Sequence, residues 1–350
     1  GAASTVGVLV TAREGDGYSN RVGGADAFLR LGASTLQLQY LRSETEYPGE
    51  IASLTDQPSG RFGGNAFAGV YRYSTRAWNA GVNASFHGRG FRADAGFVNQ
   101  VDLADAWSWV GRTWWGEDDA WWTSAGVNAG FWFQRTLSAW TPIHEGVWVS
   151  ASFRGPFQSF LWVNPDLARE SVDGRVFEHP RLNFGGRLSP VGAVGFRVDG
   201  SVGGALDFAN ARQADQIRLS PALDLRLGRR VHLRATHSFE RLDHAGERVY
   251  DANVSQLRAV YNFSARAFVR GIVQYRRTDR NVALWEGEVD PESTSVATQL
   301  LFSYELNPLS VLYVGYSDSR LGGLRADGTA LALTPSERTF FLKLGYAWRP

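Results

Sequence analysis

The chain has 350 residues and a formal net charge of +1, so it carries no bulk basic signal for nucleic acid. It contains no cysteine, which excludes disulfides and thiolate metal sites. No run approaches the roughly 18 consecutive apolar residues of a membrane helix; a β-barrel needs none, because its apolar residues alternate with polar ones.

In chain order, Gly1-Ala-Ala-Ser-Thr5 leads directly into a first strand, Thr5–Ala12, and no methionine precedes it. That start reads as a mature chain or a fragment, since an exported protein begins with a signal segment that is later removed. Strands follow at Val22–Leu31, Thr35–Arg42, Phe62–Tyr73 and Trp78–His87, with a long loop over Ser43–Gly60. Each alternates apolar and polar residues with period two, the pattern of a half-buried strand. Gly88-Arg-Gly90 predicts a turn into a strand Phe91–Val98, with Arg92 and Asp94 on its polar face. Further strands are read at Trp107–Trp115, Trp121–Leu137 and Val147–Trp162, then a charged loop at Asn164–Pro180. Arg181–Leu188, Val194–Leu206, Gln216–Leu227 and Val231–Arg241 come next.

The clearest pattern lies in Val254–Arg277. Leu257, Ala259, Tyr261 and Phe263 share one face; Gln256, Arg258 and Asn262 share the other with Val260. After a turn at Ser264–Ala265, Ala267, Val269, Gly271, Val273 and Tyr275 oppose Arg270, Gln274 and Arg276, which share their face with Phe268 and Ile272. The last strands are Ser295–Leu306, Leu312–Ser317 and Thr339–Trp348. No segment reads as a helix and no linker divides the chain. The fold class is therefore all-β: a transmembrane antiparallel up-and-down β-barrel of about 18 strands (16–18), forming one domain over residues 1–350. Short turns at Gly32, Thr75, Pro190, Gly228, Ser264 and Pro308 alternate with longer loops around residues 50, 172, 210, 246, 287 and 328, as periplasmic turns alternate with outer loops.

Three stretches resemble a bacterial outer-membrane barrel family of unknown function, usually fused behind a periplasmic carbohydrate-binding domain of the family-nine type. They are Phe91-Arg-Ala-Asp-Ala-Gly-Phe-Val98, Tyr261–Arg270 continuing to Gln274-Tyr275, and Phe341-Leu-Lys-Leu-Gly-Tyr-Ala-Trp-Arg349. The resemblance implies an outer-membrane location. It implies carbohydrate binding or uptake only through the partner domain, which this chain lacks. These motifs specify strands and no chemistry.

On the barrel reading, mid-strand charges line the lumen, because a charge facing mid-bilayer lipid costs about 2–4 kcal/mol. The candidates are Arg92, Asp94, Arg197, Asp199, Arg218, Asp224, Arg226, Arg234, Arg258, Arg270, Arg276 and Lys343, the last being the chain's sole lysine. They suit either a pore favouring anionic or polar solutes or a network of ion pairs bracing the wall. Ten of the 13 tryptophans fall within Asp105–Trp162. Trp114, Trp115, Trp121 and Trp122 flank the acidic turn Glu117–Asp119, and with Tyr346 and Trp348 they suit an interfacial girdle. Aromatics at lumen positions could instead stack on sugar rings. The six histidines show no metal-ligand spacing, and no cofactor is implied. Asp243 and His244 with nearby serines could be assembled into a hydrolase site, though common residues supply such triples by chance.

The leading expectation is a channel or transporter for small polar or anionic solutes in a Gram-negative outer membrane. A non-conducting anchor or docking barrel is the alternative, and an outer-membrane hydrolase the second. The expected partners are the lipid bilayer and lipopolysaccharide, with a periplasmic domain or partner protein, and no nucleic acid.

Overall fold

A computed structural model describes residues 4–172, 174–307 and 309–346. Alternating sequences of this kind fold as strands because each residue pair presents one side chain to each face of a sheet. The strands are β1 (Thr5–Gly15), β2 (Tyr18–Leu31), β3 (Ser34–Tyr47), β4 (Gly60–Ser74), β5 (Trp78–His87) and β6 (Leu103–Trp115). They continue as β7 (Ser124–Thr136), β8 (Pro142–Gly155), β9 (Ser159–Val172), β10 (Arg175–Val191), β11 (Val194–Asp207) and β12 (Arg212–Leu227). The last six are β13 (Val231–His244), β14 (Glu247–Asn262), β15 (Ala267–Arg280), β16 (Glu292–Asn307), β17 (Ser310–Leu324) and β18 (Ala330–Gly345). They form one 18-stranded sheet, all-β and antiparallel as the sequence implied. One six-residue helix, α1 (Gly49–Leu54), interrupts the first long loop, too short to leave a helical period in the sequence. No helix among the described residues is long and apolar enough to cross a membrane, which says nothing of crossing by strands.

The strand count agrees with the expectation through two compensating differences. Phe91–Val98 is not a strand: residues 88–102 form an irregular segment between β5 and β6. Val147–Trp162 is not one strand but parts of two, β8 and β9, divided by a turn at residues 156–158. The charged stretch Asn164–Pro180 is not a loop either, because β9 runs to Val172 and β10 starts at Arg175. The connections around 172, 210 and 246 are accordingly tight, and the long inserts are 48–59, 88–102 and 281–291. Each long insert follows an odd-numbered strand. The predicted turn residue Pro308 lies outside the described residues.

The chain divides into two compact units. Unit 1 comprises residues 1–115, 124–151 and 166–178. Its register aligns two adjacent rows across seven strands. Val6, Ala27, Leu38, Gly69, Ala84, Ala106 and Phe133 form an apolar row. One residue along, Gly7, Asp26, Gln39, Ala68, Ser85, Asp105 and Gln134 form a mostly polar row on the opposite face.

Unit 2 comprises residues 116–123, 152–165 and 179–350. It repeats the division over eight strands. Val194, Leu225, Leu233, Ala259, Gly271, Leu300, Tyr316 and Phe340 form an apolar row. Gly195, Asp224, Arg234, Arg258, Ile272, Gln299, Ser317 and Thr339 form the polar row beside it. Large side chains of the apolar faces are exposed, among them Val8, Val82 and Phe131 in unit 1 and Phe196, Leu300 and Leu342 in unit 2. A water-soluble protein buries such faces, and contiguous exposed apolar surface marks an interaction with another apolar phase.

Candidate functional site

Within unit 1, residues 88–102 lie across the polar face of β1–β4. Phe91 is buried against Val22 and Ala66, with Leu41, Ala93 and Val98 packed around them. The backbones come unusually close. A Cβ on Gly64 would sit 2.2 Å from the Phe91 nitrogen, and one on Gly90 would sit 2.3 Å from the Gly63 carbonyl oxygen. Only glycine permits that approach.

Hydrogen bonds fix the segment in register. Ser43 and Asn20 are buried polar residues of the wall, and the segment satisfies both. The Arg92 N–H donates to Ser43 Oγ at 3.0 Å, and the Asp94 N–H donates to Asn20 Oδ1 at 2.9 Å. Asn20 Nδ2 returns a bond of 3.1 Å to the Arg92 carbonyl. The Asp94 carboxylate accepts from Tyr18 Oη at 2.6 Å and from Tyr47 Oη at 3.0 Å. Those two tyrosines stack with their centroids 5.8 Å apart. Arg92 Nε donates to Gln57 Oε1 at 2.7 Å, which ties the segment to the loop carrying α1. Thus Arg92 and Asp94, expected as neighbours on a strand's polar face, instead anchor an irregular segment laid on the polar face of β1–β4. A cavity of about 770 Å³ remains beside it, lined by Arg13, Tyr18, Tyr47, Arg92 and Asp94 among others.

Within unit 2, the other predicted lining charges lie on the polar face, some paired and some not. Arg197 Nε is 2.6 Å from Asp199, and Arg218 is 2.7 Å from Glu240. Glu240 also accepts from Gln216 and Tyr250. Asp224 faces His232 at 3.3 Å and Arg234 at 4.0 Å. By contrast, Arg226, Arg258, Arg270, Arg276 and Lys343 have no ion-pair partner among the described residues. The face therefore carries arginine and lysine side chains outside ion-pair contact on β12, β14, β15 and β18. The insert 281–291 also packs down: Leu284 and Trp285 cover Ala205, Ala214, Leu242 and Val249, and Arg212 donates to the Leu284 carbonyl at 2.6 Å.

The tryptophans separate into two groups. Trp114 and Trp115 are exposed at the end of β6, where Arg112 stacks on Trp114 and Trp115 Nε1 donates to the Arg76 carbonyl. In unit 2, Trp121 is exposed beside Phe153, Trp122 lies in the β6–β7 connection, and Tyr346 is exposed just after β18. Trp348 lies outside the described residues. Trp107, Trp109 and Trp132 belong to the polar face of unit 1, where a girdle has no place. The signal for this was in the sequence: Trp107 and Trp109 share parity with Asp105, not with Val110. Of the residues weighed for a hydrolase, His244 spends Nδ1 on the Gln213 carbonyl at 2.8 Å. No group of three potential metal ligands occurs among the described residues.

Strands of 10 to 17 residues, antiparallel to their neighbours with one exposed apolar face and one polar face, have the pattern of an outer-membrane β-barrel wall.

No family model matches the chain, and no curated protein matches it. The chain is similar to several solved structures. Pseudomonas aeruginosa OccK2 (OpdF) is 12% identical, with 97% of this chain and 94% of that one covered and a TM-score of 0.43. Acinetobacter baumannii OccAB2 is 9% identical, with 99% and 98% covered and a TM-score of 0.44. The outer-membrane protein OmpT of Vibrio cholerae is 11% identical, with 92% and 100% covered and a TM-score of 0.39.

Proposed function

We propose that the chain is an outer-membrane channel for small polar or anionic solutes. One observation carries the reading: both units set a charged and carboxamide-rich face against an exposed apolar face, strand after strand. With the apolar face in lipid, the polar face lines water. The unpaired arginines there favour anions, since a low-dielectric wall strengthens their field. Segment 88–102 then acts as a constriction element laid along one side of the passage. The surrounding lipid includes lipopolysaccharide in the outer leaflet. The link to a carbohydrate-binding periplasmic domain rests on the sequence resemblance alone and remains part of this proposal.

The purified chain reconstituted in planar bilayers tests the reading. The expected result is stepwise ion conductance with a reversal potential that favours chloride in a salt gradient. Absence of current overturns it, and cation preference overturns the arginine argument.

A second reading, a non-conducting anchor or docking barrel, is favoured by the same segment: it fills space on the polar face of β1–β4 and is held there by buried bonds. Zero conductance in wild type, with current appearing once residues 88–102 are shortened, would select it.

A further inference from the structure

The polar face of β5–β8 in unit 1 differs from the arginine-rich faces elsewhere. On it, Trp107 and Trp109 stack with ring centroids 4.7 Å apart and planes 29° apart. Trp109 covers one side of Trp107, yet Trp107 remains 45% exposed. The rings settle onto glycines of neighbouring strands. A Cβ on Gly81 would lie 2.1 Å from the Trp109 ring, and one on Gly146 would lie 2.4 Å from the Trp132 ring. Such glycines let an indole lie against the backbone where a side chain would stand it off. Register places Trp107 between Asn83 of β5 and Trp132 of β7, on the same face. Asn128 lies over Gly111, one register step beyond Trp109. Up to Ala151 of β8 this face carries no arginine or lysine. Its one acid, Asp105, is hydrogen-bonded to Ser85 across the strand pair.

We propose that these indoles and carboxamides form a binding track for neutral saccharides. A pyranose ring offers a C–H face that packs on an indole, and a rim of hydroxyls that each donate and accept. Asn and Gln side chains also donate and accept at once, which suits hydroxyls and gives no advantage to ions. An anionic solute finds no counter-charge here, the one carboxylate is engaged by Ser85, and a purely apolar solute would strand the carboxamides. The inference deepens the channel reading and rests on the polar face being wet.

The test uses the full chain in detergent, with intrinsic tryptophan fluorescence titrated against cellotriose, D-glucose and benzoate. Current through bilayers is recorded in parallel with cellotriose present. Saturable binding of cellotriose is expected, tighter than that of glucose. Trp107→Ala should weaken it by roughly tenfold or more, Trp107→Phe by less, and Trp121→Ala not at all. Heat-modifiable electrophoretic mobility verifies that each variant folds. Asn83→Leu, which keeps the wall's shape, provides a second variant and should also weaken binding. Binding without conductance leaves the track standing and overturns the channel. Conductance without cellotriose binding overturns the track, as does binding that survives Trp107→Ala. Benzoate binding with the same tryptophan dependence and no sugar binding overturns the ligand class.

Discussion

Asp94 shows how much a single side chain can organise. Its carboxylate takes two tyrosine hydroxyls while its N–H goes to a buried asparagine. Bonds to a charged acceptor contribute about 1.5–3 kcal/mol each. Asp94→Ala should therefore raise amide hydrogen exchange across residues 88–102 by roughly tenfold or more, read by mass spectrometry, while the strands keep their protection. Gly64→Ala should do the same by a different route, because the added methyl displaces the Phe91 backbone. Protection that is unchanged in both variants would mean the segment is not held by these contacts. None of this was legible in the sequence. Phe91, Ala93, Ala95 and Phe97 alternate with Arg92 and Asp94 as a strand does, and period two cannot tell pairing from docking. The available hint was glycine on both partners, Gly63-Gly64 and Gly88-Arg-Gly90.

At the scale of the strand, the two faces were legible residue by residue. Leu257 opposes Val273 and Ala259 opposes Gly271 in the observed register, as alternation implied. Strand ends were not legible. The turn dividing β8 from β9 places Phe157 and Gln158 at φ of 59° and 53°. Neither left-handed position is Gly, Asn or Asp; the signal was Gly155-Pro156 just before them, hidden by the aromatic runs on both sides that continue the strand pattern. The β9–β10 ends were hidden differently. Charges such as Arg169 and Glu178, which pair at 2.7 Å, occupy strand extensions longer than the roughly 10 residues a bilayer needs. The faces yield a quantitative prediction. Leu300→Arg, on the apolar row, should destabilise the folded state in lipid by about 2–4 kcal/mol, whereas Gln299→Arg should change it by well under that. Denaturant unfolding from vesicles reads both, and equal costs would remove the distinction between the faces.

Across the whole molecule, charge distribution sets the expected behaviour. Arg197, Arg218 and Arg234 stand near acids, and such part-exposed pairs brace the wall more than they charge it. Arg226, Arg258, Arg270 and Arg276 have no such partner among the described residues. Replacing Arg258, Arg270 and Arg276 together by glutamine should move the reversal potential toward zero. Replacing Glu240 by glutamine should move it further toward chloride, since Arg218 loses its counter-charge. A shift of either variant in the opposite direction would contradict the placement of selectivity on this face.

Because the sequence holds no cysteine, the orientation of the two faces, apolar rows to hydrocarbon and polar rows to water, can be read directly. Single cysteines at 258, 259, 299 and 300, spin-labelled in lipid vesicles, report which relaxation agent reaches each site. Positions 259 and 300 are expected to respond to membrane-dissolved oxygen, and 258 and 299 to a water-soluble nickel chelate. Equal access of the aqueous agent to all four positions would contradict it.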